Sequence, residues 1–281
     1  MSNTIKLAVH GAAGRMGQRV VALAAEDGEN FTVVGAIDHA HHPKVGQDAG
    51  TVAGIAPVDA SISPDWPSDV DIVIDFSLPE AIDGCVAHCV AHASPLVVAT
   101  TGLSESQKQS LANAAQSIPI VWAPSMSLAV NLSMRMAQQI TSALRDVAGG
   151  VDIEILERHH RFKADAPSGT ALKFGELIGE AMDEAPPVMH VHGREGHTGQ
   201  RTRNEIGYHA IRVGDNPGEH TIVFGMLGER IELNVAASNR DCYAAGALAA
   251  AKWLMRGQDG KPMPAGLYNM FDVLGMADAA K

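Results

Sequence analysis

Through the first half of the chain, short apolar runs alternate with stretches in which apolar positions recur every three or four residues. Residues 5–9, 31–37, 72–76, 96–99 and 120–123 read as strands, and 15–26, 79–92 and 105–117 read as helices. Ser104, followed three residues later by Gln107, has the form of a capping box and marks the start of the third helix. The strand runs are apolar at successive positions, as expected where helices cover both faces of a parallel sheet. With right-handed crossovers this gives an α/β fold, a Rossmann-like doubly wound parallel sheet whose ligands bind at the carboxyl ends of the strands.

After a helix over 128–145 the pattern changes. Residues 151–157 alternate apolar and polar positions, and further strands follow over 205–212, 220–225 and 230–236, separated by clusters of Gly, Pro and His. Few helices interrupt them, which predicts a second α+β domain with a mixed or antiparallel sheet over 128–239. An Ala-rich helix over 243–255 is expected to pack back on the first domain, so the domains read as 1–127 completed by 240–281, and 128–239.

Charge narrows the function. With 21 Lys plus Arg against 32 Asp plus Glu, the net charge of −11 argues against nucleic acid or an anionic membrane as partner. No run approaches the roughly 20 apolar residues of a membrane span, and the start of the chain lacks the basic and apolar regions of a signal peptide. Three cysteines form no disulfide framework and suit a reducing compartment, so the expected location is cytoplasmic.

Gly11, Gly14 and Gly17 follow the first strand and open a helix. Glycines there let the backbone turn tightly and approach a pyrophosphate, which the free N–H groups of a helix start attract. The spacing G-x-x-G-x-x-G departs from the usual G-x-G-x-x-G, and a plain strand-to-helix turn would look the same. Asp38, about 20 residues on and just past the second strand, stands where an acidic side chain accepts from ribose hydroxyls. A carboxylate some 4 Å from a 2′-phosphate would repel it by on the order of 4 kcal/mol per unit charge, which favours NADH over NADPH. His39, His41, His42 and Lys44 soften that preference, unless they form a solvated loop.

The stretch RHHRFKADAPSGTA, from Arg158 to Ala171, concentrates positive charge before a helix. Ser168 is a good N-cap, and Gly169 and Thr170 offer N–H groups and a hydroxyl to an anion such as a carboxylate. His159, His160 and Lys163 can converge there, and an imidazole and an amine can both donate protons while a substrate gains a hydride. A solvated face or an ion-pair site for nearby acids would present the same residues.

The run from Glu157 to Ala171 resembles the signature of the dihydrodipicolinate reductase (4-hydroxy-tetrahydrodipicolinate reductase) family. The likeness extends through Gly11 to Gly17, Thr100-Thr101-Gly102, Arg194-Glu195-Gly196, Ile206-Gly207 and Gly218-Glu219-His220-Thr221, nearly the whole chain. The resemblance implies a cytoplasmic, homotetrameric enzyme of diaminopimelate and lysine biosynthesis that reduces a cyclic imine-type dicarboxylate with NADH or NADPH. It makes the second domain the seat of substrate and of oligomer contacts. His159 matches the family's acid/base residue and Lys163 its proton donor; His160, Gly169 and Thr170 match substrate contacts, with Ser168 alongside. Gly11, Ala12, Ala13, Gly14, Arg15, Met16, Asp38, Ala99, Thr100, Thr101, Ala123, Pro124, Ser125 and Met126 match cofactor-contacting segments. This chain has His39 where the family commonly has arginine, Ala99 where it often has glycine, and Met126 where it often has phenylalanine. The thioether of Met126 is expected to fill the space of that ring beside the nicotinamide.

Two rival functions remain open at this stage. One is a dinucleotide-sensing regulator that lost catalysis; the other is a Rossmann dehydrogenase acting through a cysteine thiolate. No metal is expected: Cys85, His88, Cys89 and His92 have zinc-ligand types, but their spacing marks the buried stripe of one helix, too extended to surround one ion. His190, His192 and His197 lie in a Gly-rich stretch read as a loop over the active site or an oligomer contact.

Overall fold

A computed structural model describes residues 4–182, 188–257 and 259–277. It divides into two compact units, Met1–Leu128 with Arg240–Lys281, and Ala129–Asn239.

In chain order the first unit contributes β1 (Ile5–His10), α1 (Arg15–Glu26), β2 (Phe31–Ile37), α2 (Ala49–Val52), β3 (Ile62–Ser63), β4 (Ile72–Asp75), α3 (Pro79–Ala91), β5 (Leu96–Val98), α4 (Glu105–Ala114) and β6 (Pro119–Trp122). All but the first residue of α5 (Leu128–Leu144) belongs to the second unit, which continues with β7 (Asp152–His159), α6 (Gly169–Met182), β8 (Met189–His192), β9 (Glu205–Arg212), β10 (Glu219–Met226) and β11 (Glu229–Ala236). The chain then returns to the first unit with α7 (Asp241–Arg256), β12 (Gly266–Tyr268) and α8 (Met270–Val273).

The first sheet is parallel throughout, in the order β12-β6-β5-β4-β1-β2-β3. From β1 the chain moves outward to β2 and β3, then crosses back to β4 on the other side. That reversal opens a crevice at the carboxyl ends of β1 and β4, the place where doubly wound sheets bind ligands. Leu7, Val9, Ile72 and Ile74 face one buried layer and Ala8, Val73 and Leu96 face the other. Each fully buried Leu, Ile or Val among them contributes about 1.5–3 kcal/mol. Helices α1 and α7 cover the first layer, tied by the Arg19–Asp241 pair at 2.5 Å and by Lys252–Asp27 at 2.9 Å. The capping box of α4 closes through both Ser104 and Gln107, and the helix ends at Ala114, three residues earlier than its periodicity suggests.

The second sheet is mixed: β11, β10 and β7 run antiparallel, and β7, β9 and β8 run parallel, in the order β11-β10-β7-β9-β8. Along β7, Ile153, Ile155, Glu157 and His159 are buried on one face, while the alternate positions are half-buried or exposed. Phe174, Ala171 and Ile178 of α6 are fully buried, and α6 packs on β7 and β9.

The short elements β3, α2, β8, β12 and α8 were not anticipated: unlike the equally short β4, β5 and β6, they lack a continuous apolar run that stands out in the sequence. One of them corrects an expectation. His190 and His192 sit in β8, paired with β9, rather than in a loop; the ring of His190 bonds the Tyr208 hydroxyl at 2.7 Å and that of His192 stacks on Tyr208 at 5.1 Å. The stripe on α3 also divides: Cys85 and Cys89 are buried, whereas His88 stacks between Trp66 and His92 toward the surface. Among the described residues, no helix is long and apolar enough to cross a membrane.

Candidate active site

In the first unit the turn after β1 is shaped by close approach. Gly11 has φ +77°, and a Cβ there would lie 2.6 Å from the Phe76 carbonyl oxygen. The N–H groups of Gly11 and Ala12 donate to the Ile37 carbonyl at 2.8 and 3.1 Å, pinning the turn to β2. Gly14 caps α1 with no side chain, and among the described residues nothing accepts from the N–H groups of Arg15 and Met16. Free N–H groups at the start of a helix with its dipole behind them suit a phosphate.

Asp38 accepts from the N–H groups of Ala13 at 3.0 Å and His39 at 2.9 Å, so it braces the same turn. The exposed ring of His39 lies edge-on to His42 at 5.3 Å. Thr100 and Thr101 follow β5, and Ala123 to Met126 follow β6, so the topology gathers all these segments at one end of the sheet. Yet the side chains of Ala12, Ala13, Ala99, Thr100, Ala123 and Met126 are buried. Met126, expected to fill space beside a nicotinamide, packs instead within the core, and its carbonyl would lie 1.7 Å from a Cβ at Gly246 of α7. These positions therefore offer a ligand main-chain groups, while Arg15, Asp38, His39, Thr101 and Ser125 offer side chains.

Beneath this surface lies Asp75, fully buried at the end of β4. Its Oδ1 accepts from Ser77 at 2.6 Å and lies 2.7 Å from His10 Nδ1, and its Oδ2 accepts from Thr100 at 2.5 Å. The carboxylate thus ties together the ends of β1, β4 and β5. Cys85 brings a third ligand-type atom within 4.8 Å of His10 and Asp75, though the carboxylate oxygens are already engaged. The glycine turn, the open helix start and the braced carboxylate fit a dinucleotide.

In the second unit the chemistry gathers around Glu157, which is 1 % exposed. Its Oε2 lies 2.5 Å from His159 Nδ1, Arg212 donates to both carboxylate oxygens at 2.7 and 2.8 Å, and the Ser168 N–H donates to Oε1 at 3.1 Å. Ser168 caps α6 by accepting from the Ala171 N–H at 3.2 Å, and its hydroxyl meets His220 Nε2 at 3.0 Å. Lys163 pairs with Asp165 at 2.8 Å. Arg212 also donates to the Asp165 carbonyl at 2.6 Å, holding the loop between β7 and α6. Gly169 is exposed, with open space where a Cβ would stand, and Thr170 beside it is half-buried.

Burial sets the charge states here. It lowers the pKa of His159, an effect that the adjacent Glu157 only partly offsets and that Lys163 and Arg212 reinforce. Burial would raise Glu157, but its bonds to Arg212 and His159 outweigh that and hold the carboxyl below its ordinary value. His220, buried beside His159, is pushed down to about 4. The site thus carries two neutral imidazoles beside a fixed carboxylate near neutral pH.

Comparison with known proteins identifies the chain. Residues 5–126 match the family model described as dihydrodipicolinate reductase, N-terminus, and residues 129–274 match that described as dihydrodipicolinate reductase, C-terminus. The chain belongs to the dihydrodipicolinate reductase family. It is 72% identical over 279 residues to the 4-hydroxy-tetrahydrodipicolinate reductase of Rhodopirellula baltica, covering 98% of this chain and 97% of that one. The enzyme of the same name from Pseudoalteromonas atlantica is 45% identical, over 97% and 99% of the two chains. In fold, the chain is similar to a dipicolinate-bound dihydrodipicolinate reductase from Paenisporosarcina sp. TG-14, with a TM-score of 0.70, 21% identity and coverage of 96% and 99%. This protein is accordingly an oxidoreductase that uses a nicotinamide cofactor.

Several groups of this dihydrodipicolinate reductase family member escaped the sequence reading. Glu157 and His220 belong to quoted motifs but had no role, and Arg212, His10 and Asp75 were not singled out. A detectable signal existed for two of them: Glu157 continues the apolar face of Ile153 and Ile155, and His220 that of Ile222 and Phe224, where an ionisable side chain requires a partner. Conversely, Arg158 lies on the opposite face of β7 from His159, paired with Glu219 at 2.6 Å, so the basic run does not all converge. The ring of His160 stands 6.2 Å from that of Phe162, with its Nδ1 buried and unpartnered among the described residues.

Proposed function

We propose that this protein reduces 4-hydroxy-tetrahydrodipicolinate to tetrahydrodipicolinate, the step named by its relatives, within diaminopimelate and lysine biosynthesis. The observation that carries the reading is the shared attachment of His159 and the start of α6 to one buried carboxylate, which sets a proton-exchanging imidazole beside an anion seat. A substrate carboxylate takes the N–H groups of Gly169 and Thr170, with the hydroxyls of Ser168 and Thr170 and the ring of His160 around it. Lys163 exchanges Asp165 for the dianionic ligand and joins His159 as a proton source.

The reduced nicotinamide, when bound, supplies the hydride. One hydride and one proton are taken up and the 4-hydroxyl leaves as water. Gly11, Ala12, Ala13 and Gly14 with the N–H groups of Arg15 and Met16 hold the pyrophosphate. Asp38 and His39 face the adenine ribose, and the segments Ala99 to Thr101 and Ala123 to Met126 offer main-chain groups to the rest. Asp38, braced by two N–H donors, cannot swing away from a 2′-phosphate, which supports NADH as the preferred donor; His39 and Lys44 allow NADPH. The enzyme is cytoplasmic and a homotetramer assembled through the second sheet, whose face away from α6 presents Leu156, Thr221, Val223 and Ile211. The test is spectrophotometric: the cyclic substrate, freshly formed by condensation, should drive loss of NADH absorbance faster than that of NADPH. No loss with either dinucleotide would refute the assignment.

A further inference from the structure

Glu157 is a charged group placed where an apolar one would serve the fold, and its bonds explain why. Around its two oxygens converge the Ser168 N–H, both terminal nitrogens of Arg212 and the imidazole of His159. A carboxylate has about four acceptor sites. Three are taken by groups that can only donate, and the carboxylate is itself an acceptor only, so the contact at 2.5 Å requires that His159 Nδ1 carry the hydrogen. The other nitrogen, Nε2, then lies on the far side of the ring, where a Cβ at Gly218 would approach to 3.0 Å. The absence of that carbon keeps the space before Nε2 open.

We propose that Glu157 is a positioning residue of this reductase: it locks His159 as the Nδ1–H tautomer with Nε2 as the proton-exchanging atom, and through the Ser168 N–H it holds the start of α6 at a set place relative to that atom. This rests on the roles given above to His159 and α6. Glu157 itself is walled from the ligand by the groups it holds. Arg212 acts on the same carboxylate from β9, keeping it ionised and in one rotamer, and its second bond to the Asp165 carbonyl draws in the loop that carries Lys163. The arrangement joins His159 and Glu157 of β7, Ser168 at the cap of α6 and, from more than forty residues further on, Arg212 of β9.

The direct test is imidazole nitrogen NMR on the full-length protein labelled with ¹⁵N-histidine, without substrate or dinucleotide, with the His159 signals assigned by comparison with His159→Gln. In the wild-type protein the neutral ring should show a protonated Nδ1 and a bare Nε2; the opposite tautomer would overturn the proposal at once. The groups facing His159 are Glu157 on its own strand, Lys163 on the loop, Arg212 on β9 and His220 on β10. Glu157→Gln removes the one that favours the protonated ring, so the His159 midpoint should fall by at least about half a pH unit, the Nε2–H tautomer should appear, and kcat should drop at least about tenfold. Arg212→Met removes a cation, so the midpoint should instead rise. A role limited to folding would lower thermal stability in both variants and leave tautomer and midpoint as in wild type, and that result rejects the proposal. If Glu157→Gln does not fold, the wild-type tautomer and the Arg212→Met shift decide. Turnover of the wild-type enzyme tests the functional reading separately, because the spectra need no ligand.

Discussion

The starts of α1 and α6 solve one problem in two ways. Each presents free N–H groups to an anion, but α1 is capped by a bare glycine inside a turn of small, mostly buried residues, whereas α6 is capped by Ser168 amid Glu157, Arg212, His159 and His220. The first seat is built from main chain, whose groups do not titrate and whose shape depends on the absence of side chains. The second is built from side chains, whose protonation depends on pH and whose positions depend on one another. On the proposed reading, a dinucleotide's pyrophosphate, whose charge stays the same while the nicotinamide is oxidised, suits the first seat, and a substrate that gains a proton suits the second.

That contrast breaks most severely at Gly11. Gly11→Val should abolish dinucleotide binding, because the new side chain meets the Phe76 carbonyl and the residue must hold φ +77°. Calorimetric titration with NADH should show no saturation up to millimolar ligand, and affinity near wild type would mean the turn is not the seat. His159→Ala and Lys163→Ala should spare dinucleotide affinity while lowering kcat by roughly 10²- to 10⁴-fold, the usual share of a positioned proton donor. Wild-type turnover in both would remove them from the mechanism.

A smaller effect concerns pH and the second unit alone. The pKa of His220 is lowered to about 4 in the fold, against an ordinary value near 6.5. The unfolded chain therefore binds a proton first as pH falls, and stability present above about 6.5 is lost progressively toward pH 4, by on the order of 3 kcal/mol at most. Glu157, with its depressed pKa, adds a loss at lower pH, as the carboxylate protonates. Urea unfolding at pH 7.5 and pH 5 should show the decline, and His220→Gln should flatten it; an unchanged slope in that variant would exclude His220 as the cause. Smallest of all, Asp38→Asn should shift the NADH-to-NADPH ratio of kcat/KM by about tenfold toward NADPH, roughly 1.4 kcal/mol. An unaltered ratio would leave Asp38 only its structural bonds to Ala13 and His39.

The alternation of apolar runs with helical periodicity made the doubly wound sheet legible, since buried parallel strands and amphipathic helices leave different patterns. The glycine turn was legible because only backbone geometry demands glycine there, and Ser168 because an N-cap is a local matter settled within three residues. Short edge elements such as β8 and β12 were not, because a strand of three or four exposed residues is held by its neighbour's ladder. The direction of a side chain was also hidden: Arg158 and His159 are adjacent in sequence yet face opposite sides of the sheet, and Met126 turned inward to the core.

What the order of residues determined by itself, then, is local: periodicity, turns, caps, and the presence of imidazole and amine near a helix start. Only the folded chain decided which groups share a partner. Glu157 and Arg212 are brought together by the parallel pairing of β7 with β9, and His220 comes beside them by the antiparallel pairing of β7 with β10. Such neighbours lie more than fifty positions apart along the chain, so no local pattern joins them; strand register, set by burial of one whole face, does.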